Sequence, residues 1–224
     1  RLDFEYMQWI GTVVDEVAPP GEPLRVVHIG GAGCTIPQYV AATRPGSRQH
    51  VFEVDGALVT LARQAFGLRR IRGLRITTAD GREGLSRLAD GSADVIVRDA
   101  FTGETVPPHL TTLEFMAEVR RVLNPSGTYV SNVADTTDVR HSRVEAAAAL
   151  QVFPHVSLIA EPAQLRKRRF GNVVVSASGV PLPDHALVRR LAGGMVRARY
   201  VDTDAVREMI AGVRPLRDAD LVTP

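Results

Sequence analysis

The sequence predicts an α/β domain built on a mostly parallel sheet, and three observations carry that prediction. Short apolar runs alternate with helix-spaced segments from Arg25 to about residue 151, the pattern of strand–helix units that pair in parallel. The first run, Arg25 to Ile29, passes straight into Gly30, Gly31 and Gly33, followed by Ile36, Tyr39 and Val40 at helical spacing. A strand, a glycine turn and a helix N-terminus let backbone N–H groups approach a ligand closely. A tight turn in any α/β domain would read the same way, and GGAG is not GxGxxG. Third, the first four strands each end in glycines or an acid: Gly30 to Gly33, Glu53 with Asp55, Asp80, and Asp99. In open α/β sheets, ligands bind outside the carboxyl ends of the strands.

Bulk properties narrow the class. The 224 residues suffice for one sizeable domain. A hydrophobic share of 45% and a charged share of 23% are ordinary for a globular protein. A net charge of +2 gives no global electrostatic case for nucleic acid or a membrane surface as partner. Lys167 is the one lysine among many arginines, which fits a GC-rich coding bias. Cys34 stands alone, so no intramolecular disulfide or cysteine-rich zinc site forms, and the histidines show no metal-ligand spacing. No run reaches the ~18–20 apolar residues of a membrane span, and a cytoplasmic location is expected. The sequence begins at Arg1 rather than Met, so the lack of a targeting signal applies to these residues only.

The elements follow in order. Residues 3–17 carry Tyr6, Ile10, Val13 and Val17 on one helical face with Met7 and Val14 alongside, and Asp3 and Glu5 at the favourable end. APPGEP stops this helix. A second strand runs from Arg48 to Val54, a helix covers 57–66, and a third strand runs from Leu74 to Thr78. Asp80 is placed to cap the short helix of Leu85 and Leu88. Asp94 to Asp99 is a fourth strand, followed by the long loop AFTGETVPPH. Thr111 and Glu114 suggest a capping box for a helix with Phe115, Val119 and Val122 inward. Thr128 to Val133 is a fifth strand, 139–151 a helix, and Val156 to Ala160 with Asn172 to Ala177 two closing strands. Short helices are expected near 185–192 and 204–211. The expected organisation is an N-terminal helix (1–20) packed on a Rossmann-like ligand-binding domain (21–180), with C-terminal helices (181–224) belonging to it. Two final strands without a helix-length separator give a terminal antiparallel hairpin. That ending distinguishes a class I S-adenosylmethionine-dependent methyltransferase-like Rossmann fold, here with a seven-stranded sheet, from a dinucleotide dehydrogenase.

The strand ends supply the candidate site. Glu53 follows Gly30 by 23 residues, close to the ~20-residue spacing at which an acid meets ribose hydroxyls. A carboxylate can accept both hydrogen bonds of a vicinal diol. Asp80, beside Gly81, could accept from an exocyclic adenine amine, although a lone acid there is more often a helix cap. Asp99, beside the glycine loop and ahead of a lid-like loop, is the candidate for chemistry. Its bland reading is a cap for the turn at Phe101–Gly103. Cys34 reads as a packed thiol rather than a reactive one. Tyr6 and Trp9 read as core on spacing alone, and His109 as a capping or exposed residue.

In FEYMQWI, VVHIGGAG, EVD, ADGREGL, DVIVRDAF and HLTTLEF, the chain resembles the polyamine aminopropyltransferases (spermidine and spermine synthases), and more closely a spermidine synthase-like branch with a degenerate loop. The resemblance runs from about residue 4 to 130. It implies decarboxylated S-adenosylmethionine as aminopropyl donor, a small amine as acceptor and methylthioadenosine as by-product, with no metal. On that basis Gly30, Gly31 and Gly33 flank the methionine-derived part, Glu53 with neighbouring Asp55 meets the ribose, and Asp80 with Gly81 addresses adenine. Asp99 matches the first acid of a DSSDP-like loop, with Ala100 next to it on the donor side. There it orients the attacking amine and helps remove its proton. Tyr6 matches an aromatic residue near the acceptor, with Gln8 a neighbouring candidate. Family members often dimerise or tetramerise, so a homodimer is compatible with the resemblance.

Three departures bear on the reaction. Gly33 stands where the family's GGGDGG loop carries an acid that favours the donor's free amine and repels the carboxylate of ordinary S-adenosylmethionine. Thr102 replaces the loop's second acid on the acceptor side. Leu165 to Phe170, with four consecutive basic residues, replaces a tyrosine- and proline-rich loop and would repel a polyamine if it reached the pocket. Beside aminopropyl transfer stand two alternatives: methyl transfer from S-adenosylmethionine, and a non-catalytic nucleoside-binding or assembly module.

Overall fold

A computed structural model describes residues 2–31, 33–194 and 197–221. The chain opens with helix α1 (Glu5–Asp15) and enters strand β1 (Arg25–Gly30), helix α2 (Thr35–Thr43), strand β2 (Arg48–Glu53) and helix α3 (Gly56–Ala65). Strand β3 (Leu74–Thr78), helix α4 (Gly81–Ser86), strand β4 (Ala93–Asp99), helix α5 (Leu113–Val122) and strand β5 (Leu123–Asp135) complete the alternation. Helix α6 (Arg140–Ala149), strand β6 (His155–Ala160), the four-residue helix α7 (Pro162–Leu165) and strand β7 (Gly171–Ser178) follow. Helix α8 (Asp184–Ala192), strand β8 (Arg199–Val201) and helix α9 (Thr203–Met209) close the chain.

Among the described residues the strands form one sheet in the order β3-β2-β1-β4-β5-β7-β6-β8. The first five pair in parallel, and β7 inserts antiparallel to both β5 and β6. The antiparallel ending read from the sequence is present, but the sheet has eight strands rather than seven. The extra one, β8, pairs Leu158 with Val201 and Ala160 with Arg199. Three residues are too few to display a strand period, so only the open edge of β6 defines it.

Both faces are covered, and the central strands β1, β4 and β5 carry buried Val, Ile and Tyr on both faces, with His28, Arg98, Ser131 and Asn132 as polar exceptions. Ile10 and Val14 of α1, Ile36 and Val40 of α2 and Leu187 of α8 pack on Val26, Val95, Val97 and Val130. Leu85, Phe115, Ala146 and Val206 pack on the opposite face against Val27, Ile29 and Ile96. Each such aliphatic side chain contributes roughly 1.5–3 kcal/mol on burial. Gly81 and Gly84 let α4 lie close: a Cβ on Gly81 would sit 2.1 Å from Ile29 Cγ2, and one on Gly84 2.4 Å from the Phe52 ring.

Helix α1 is tied down by one buried cation. Arg44 Nη1 donates to the carbonyls of Pro19 and Glu22, both at 3.0 Å. Its Nη2 donates to Val14 at 3.2 Å, Asp15 at 2.8 Å and Ala18 at 2.9 Å. These carbonyls lie at the helix end and in APPGEP, where positive charge is favoured, and those of Val14 and Pro19 also accept backbone N–H groups.

Helix α5 is capped differently from the expected box. Thr112, not Thr111, accepts the N–H of Phe115 at 3.2 Å. Thr111 instead donates to the Pro108 carbonyl at 2.8 Å, and Glu114 accepts from the Asp218 N–H at 2.9 Å. A long-range partner for Glu114 outcompetes the local box. No helix is long and apolar enough to cross a membrane, among the described residues.

Candidate active site

A cavity of about 520 Å³ opens at the carboxyl ends of β1, β2 and β4, walled by α1, α2 and the loop after β4. Gly30 makes the floor possible. Its φ is +75°, and a Cβ there would lie 2.5 Å from the Asp99 carbonyl oxygen, so only glycine lets the two strand ends meet. Gly31, at φ +130°, has a second conformational requirement. A Cβ built on Gly33 would make ordinary contact with Thr35 Oγ1 at 3.6 Å, so this glycine is not required by crowding among the described residues.

Asp99 sits where β4 ends, level with Gly30, and its two oxygens have separate partners. Oδ1 accepts from Asn132 Nδ2 at 3.0 Å, and Oδ2 from the Tyr6 hydroxyl at 3.4 Å. Burial raises its pKa, while the Asn132 bond, the Arg98 charge and the Tyr6 bond pull the other way. Burial, and then the Asp99 charge, push the Tyr6 hydroxyl up as well, so it remains protonated and donates. The Phe4 ring stacks on Tyr6 with centroids 6.1 Å apart.

Asn132 escaped the sequence reading. It lies on β5, where Arg98 pairs with Ser131, so Asp99 faces Asn132 across the ladder. The available signal was two consecutive polar residues, Ser131 and Asn132, inside the apolar run TYVSNVA. Behind them Arg98, wholly buried, points to the opposite face by strand alternation. Its Nη2 meets Glu145 Oε2 at 2.5 Å, Nε donates to Tyr129 Oη at 3.1 Å, and Nη1 donates to the Asn132 carbonyl at 2.8 Å. Glu145 Oε1 also accepts from Tyr129 at 2.9 Å and Ser131 at 2.6 Å. A buried pair this fully hydrogen-bonded holds β4 and β5 in one register.

Glu53, 9% exposed, reaches the cavity from β2, and its Oε1 accepts the Asp55 N–H at 3.1 Å. Asp55 lines the rim, but its Oδ1 caps α3 through Ala57 at 2.9 Å and Leu58 at 3.0 Å. Asp80 lines the cavity with Gly81. Its Oδ1 caps α4 through Arg82 at 2.8 Å and Glu83 at 3.1 Å, while Oδ2 pairs with His109 Nε2 at 2.8 Å. Partial burial raises the Asp80 pKa, but the His109 bond and these N–H groups outweigh it and hold the carboxyl below its usual range. His109 is thus joined to Asp80 rather than to Asp99.

Ala100 and Thr102 line the loop side, and the Thr102 N–H donates to the Thr105 carbonyl at 2.8 Å in a tight turn. Gln8 does not line the cavity. Two residues after Tyr6 on a helix it points roughly away from it, and its Nε2 donates to the Leu2 carbonyl at 3.1 Å. Met7 lines the wall instead. None of residues 165–170 lines the cavity, so the basic connection does not supply the repulsion considered for it. Cys34 is buried at the wall, and burial, aided by the Glu53 charge, pushes its thiol up to about 11. Trp9 is core. Among the described residues no cluster of His, Cys, Asp or Glu is placed to hold a metal ion.

No family model matches the chain. A probable spermidine synthase from Corynebacterium glutamicum superposes with a TM-score of 0.90 at 36% identity, covering 97% of this chain and 81% of that one. A polyamine aminopropyltransferase of Vibrio vulnificus is 28% identical over 179 residues, which are 79% of this chain and 58% of that protein. The chain therefore spans less than two thirds of that curated relative. Human methyltransferase-like protein 13, solved in complex with SAH, superposes with a TM-score of 0.69 at 20% identity over 98% of both chains, a likeness of fold. The sheet is thus of the class I S-adenosylmethionine-dependent methyltransferase-like kind. More than a third of the residues match the Corynebacterium protein over nearly the whole chain, and by that likeness the chain belongs to the spermidine synthase-like family.

Proposed function

We propose that this chain is a spermidine synthase-like transferase that binds an S-adenosyl-type co-substrate and alkylates a small amine, with aminopropyl transfer from the decarboxylated form as the leading reaction. One observation carries the reading: Asp99, oriented by Asn132 and Tyr6, stands at the wall of the cavity that Glu53 enters from β2. The residues fit such a ligand. Gly30, Gly31 and Gly33 line the cavity where its methionine-derived part would lie, Glu53 suits the ribose diol, and the Asp80–Gly81 corner suits adenine.

The co-substrate supplies a carbon activated by a sulfonium leaving group, so the protein's tasks are alignment and deprotonation. A free alkylamine has a pKa near ~10 and is mostly protonated at pH 7. Asp99 accepts one N–H of the incoming amine, aims its lone pair and takes up the proton. Burial raises the Asp99 pKa, which brings this base nearer to working pH and strengthens it. Tyr6 and Asn132 keep the carboxylate from rotating away.

Methyl transfer from S-adenosylmethionine is the second reading. Gly33 favours it, because no carboxylate stands there to repel the carboxylate of that donor. A non-catalytic nucleoside-binding module is the third, and the retained, partnered Asp99 speaks against it. A cytoplasmic setting and a small-molecule acceptor accord with this chemistry. The test is product analysis by mass spectrometry after incubation with each donor and a panel of amines. Methylthioadenosine released only with decarboxylated donor and amine together supports aminopropyl transfer. S-adenosylhomocysteine released from S-adenosylmethionine supports methyl transfer, and neither product defeats both.

A further inference from the structure

Where α1 and α2 meet the sheet, the lining of the cavity includes the apolar residues Met7, Ile36, Pro37 and Val97. The polar side chain of His28 stands among them. His28 lies two residues before Gly30, on the same face of β1, with Val97 beside it and Asp99 level with Gly30. It is 2% exposed and lines the cavity.

The hydrogen bonds fix its protonation. Gln49 Nε2 donates to the Pro37 carbonyl at 2.9 Å, which leaves Gln49 Oε1 as the acceptor facing His28 Nε2 at 2.9 Å. Nε2 therefore carries the hydrogen, and Nδ1 carries a lone pair. Burial lowers the imidazole pKa to about 4, so the ring is neutral at working pH. Among the described residues no atom bonds Nδ1, although it is buried. An orphaned acceptor of this kind costs free energy, on the order of 1–3 kcal/mol, unless a ligand or water meets it.

We propose that His28 Nδ1 is a ligand-binding acceptor that takes an N–H from the amine-bearing arm of the bound ligand. This rests on the reading of the cavity as a site for an S-adenosyl-type ligand and an amine. The arm's methylenes lie along the apolar wall, and its nitrogen donates to Nδ1. Because the ring is neutral, it selects for a hydrogen-bond donor without selecting for charge, leaving the charge to Asp99. Two amines share this chemistry: the amino group of the co-substrate's own side arm, and the acceptor amine.

The test combines calorimetry with NMR of [15N]histidine-labelled protein, using methylthioadenosine, S-adenosylhomocysteine and butylamine as probes. Methylthioadenosine has no amine arm and is expected to leave the Nδ1 resonance in place. S-adenosylhomocysteine moves it if the co-substrate's arm is the donor; butylamine added with methylthioadenosine moves it if the acceptor is. His28→Gln keeps a donor for Gln49 and removes Nδ1. It is expected to weaken the responsible amine ligand about tenfold and to leave methylthioadenosine affinity unchanged. Ligands that bind without moving Nδ1, a water found on Nδ1 with ligand bound, or equal weakening of methylthioadenosine would overturn the proposal. If butylamine alone moves Nδ1 and no nucleoside binds, the nucleoside reading fails while the role of His28 stands. If no probe binds, both fail.

Discussion

The amide of Asn132 donates to Asp99 Oδ1 at 3.0 Å from the neighbouring strand, and Arg98 holds the Asn132 carbonyl at 2.8 Å from behind. The candidate base is thus fixed by its neighbour across the ladder as well as by the strand that carries it. Replacing Asn132 by Leu removes the orienting bond at similar volume. Turnover should fall about tenfold or more with methylthioadenosine affinity within about twofold of wild type. Steady-state kinetics beside calorimetry check this; unchanged turnover would remove Asn132 from the site.

Asp99→Asn should lower turnover at least about a hundredfold and raise stability at neutral pH. Burial raises the folded-state pKa of Asp99, so its stabilising contribution belongs to the protonated form. That contribution is complete below the unfolded value and is lost as pH rises through the folded one. The variant's gain in Tm should therefore be larger at pH 7 than at pH 4. A gain that shrinks with rising pH would contradict the assigned direction.

His28 makes the opposite prediction. Its folded pKa, about 4 against an ordinary 6.5, means that the unfolded chain binds the extra proton first. Stability is complete above 6.5 and declines as pH falls toward 4, by about 3 kcal/mol in all. Urea unfolding of His28→Gln between those limits should show a shallower decline than wild type.

Arg44→Met should cost at least about 3 kcal/mol, because five backbone carbonyls lose one buried cation. The loss falls on α1, which carries Tyr6, so turnover should drop as well. Chemical denaturation gives the first quantity and kinetics the second. A neutral effect on stability would mean that water replaces the guanidinium.

Much of this site was legible because its parts are local. A strand, its terminal acid or glycine and the next helix are contiguous, so β1 to β4, Gly30, Glu53, Asp80 and Asp99 could be read along the chain. Partners set by pairing were not. Asn132 meets Asp99 only because β4 and β5 are neighbours, and Glu114 left its expected capping box for the Asp218 backbone. Gln8 was misplaced through helical phase, since adjacency in sequence to Tyr6 and Met7 is not adjacency on a helix face. The unpartnered Nδ1 of His28 was invisible for a related reason: its tautomer is set by Gln49 on β2, which is itself set by Pro37 on α2.

The most direct test of the proposed site is calorimetric titration of the purified protein with methylthioadenosine, decarboxylated S-adenosylmethionine and S-adenosylmethionine. Aminopropyl transfer predicts that all three bind through the nucleoside, with the decarboxylated donor tightest. Equal or tighter binding of S-adenosylmethionine would move the reaction to methyl transfer. Failure of all three to bind would contradict the assignment of the cavity itself.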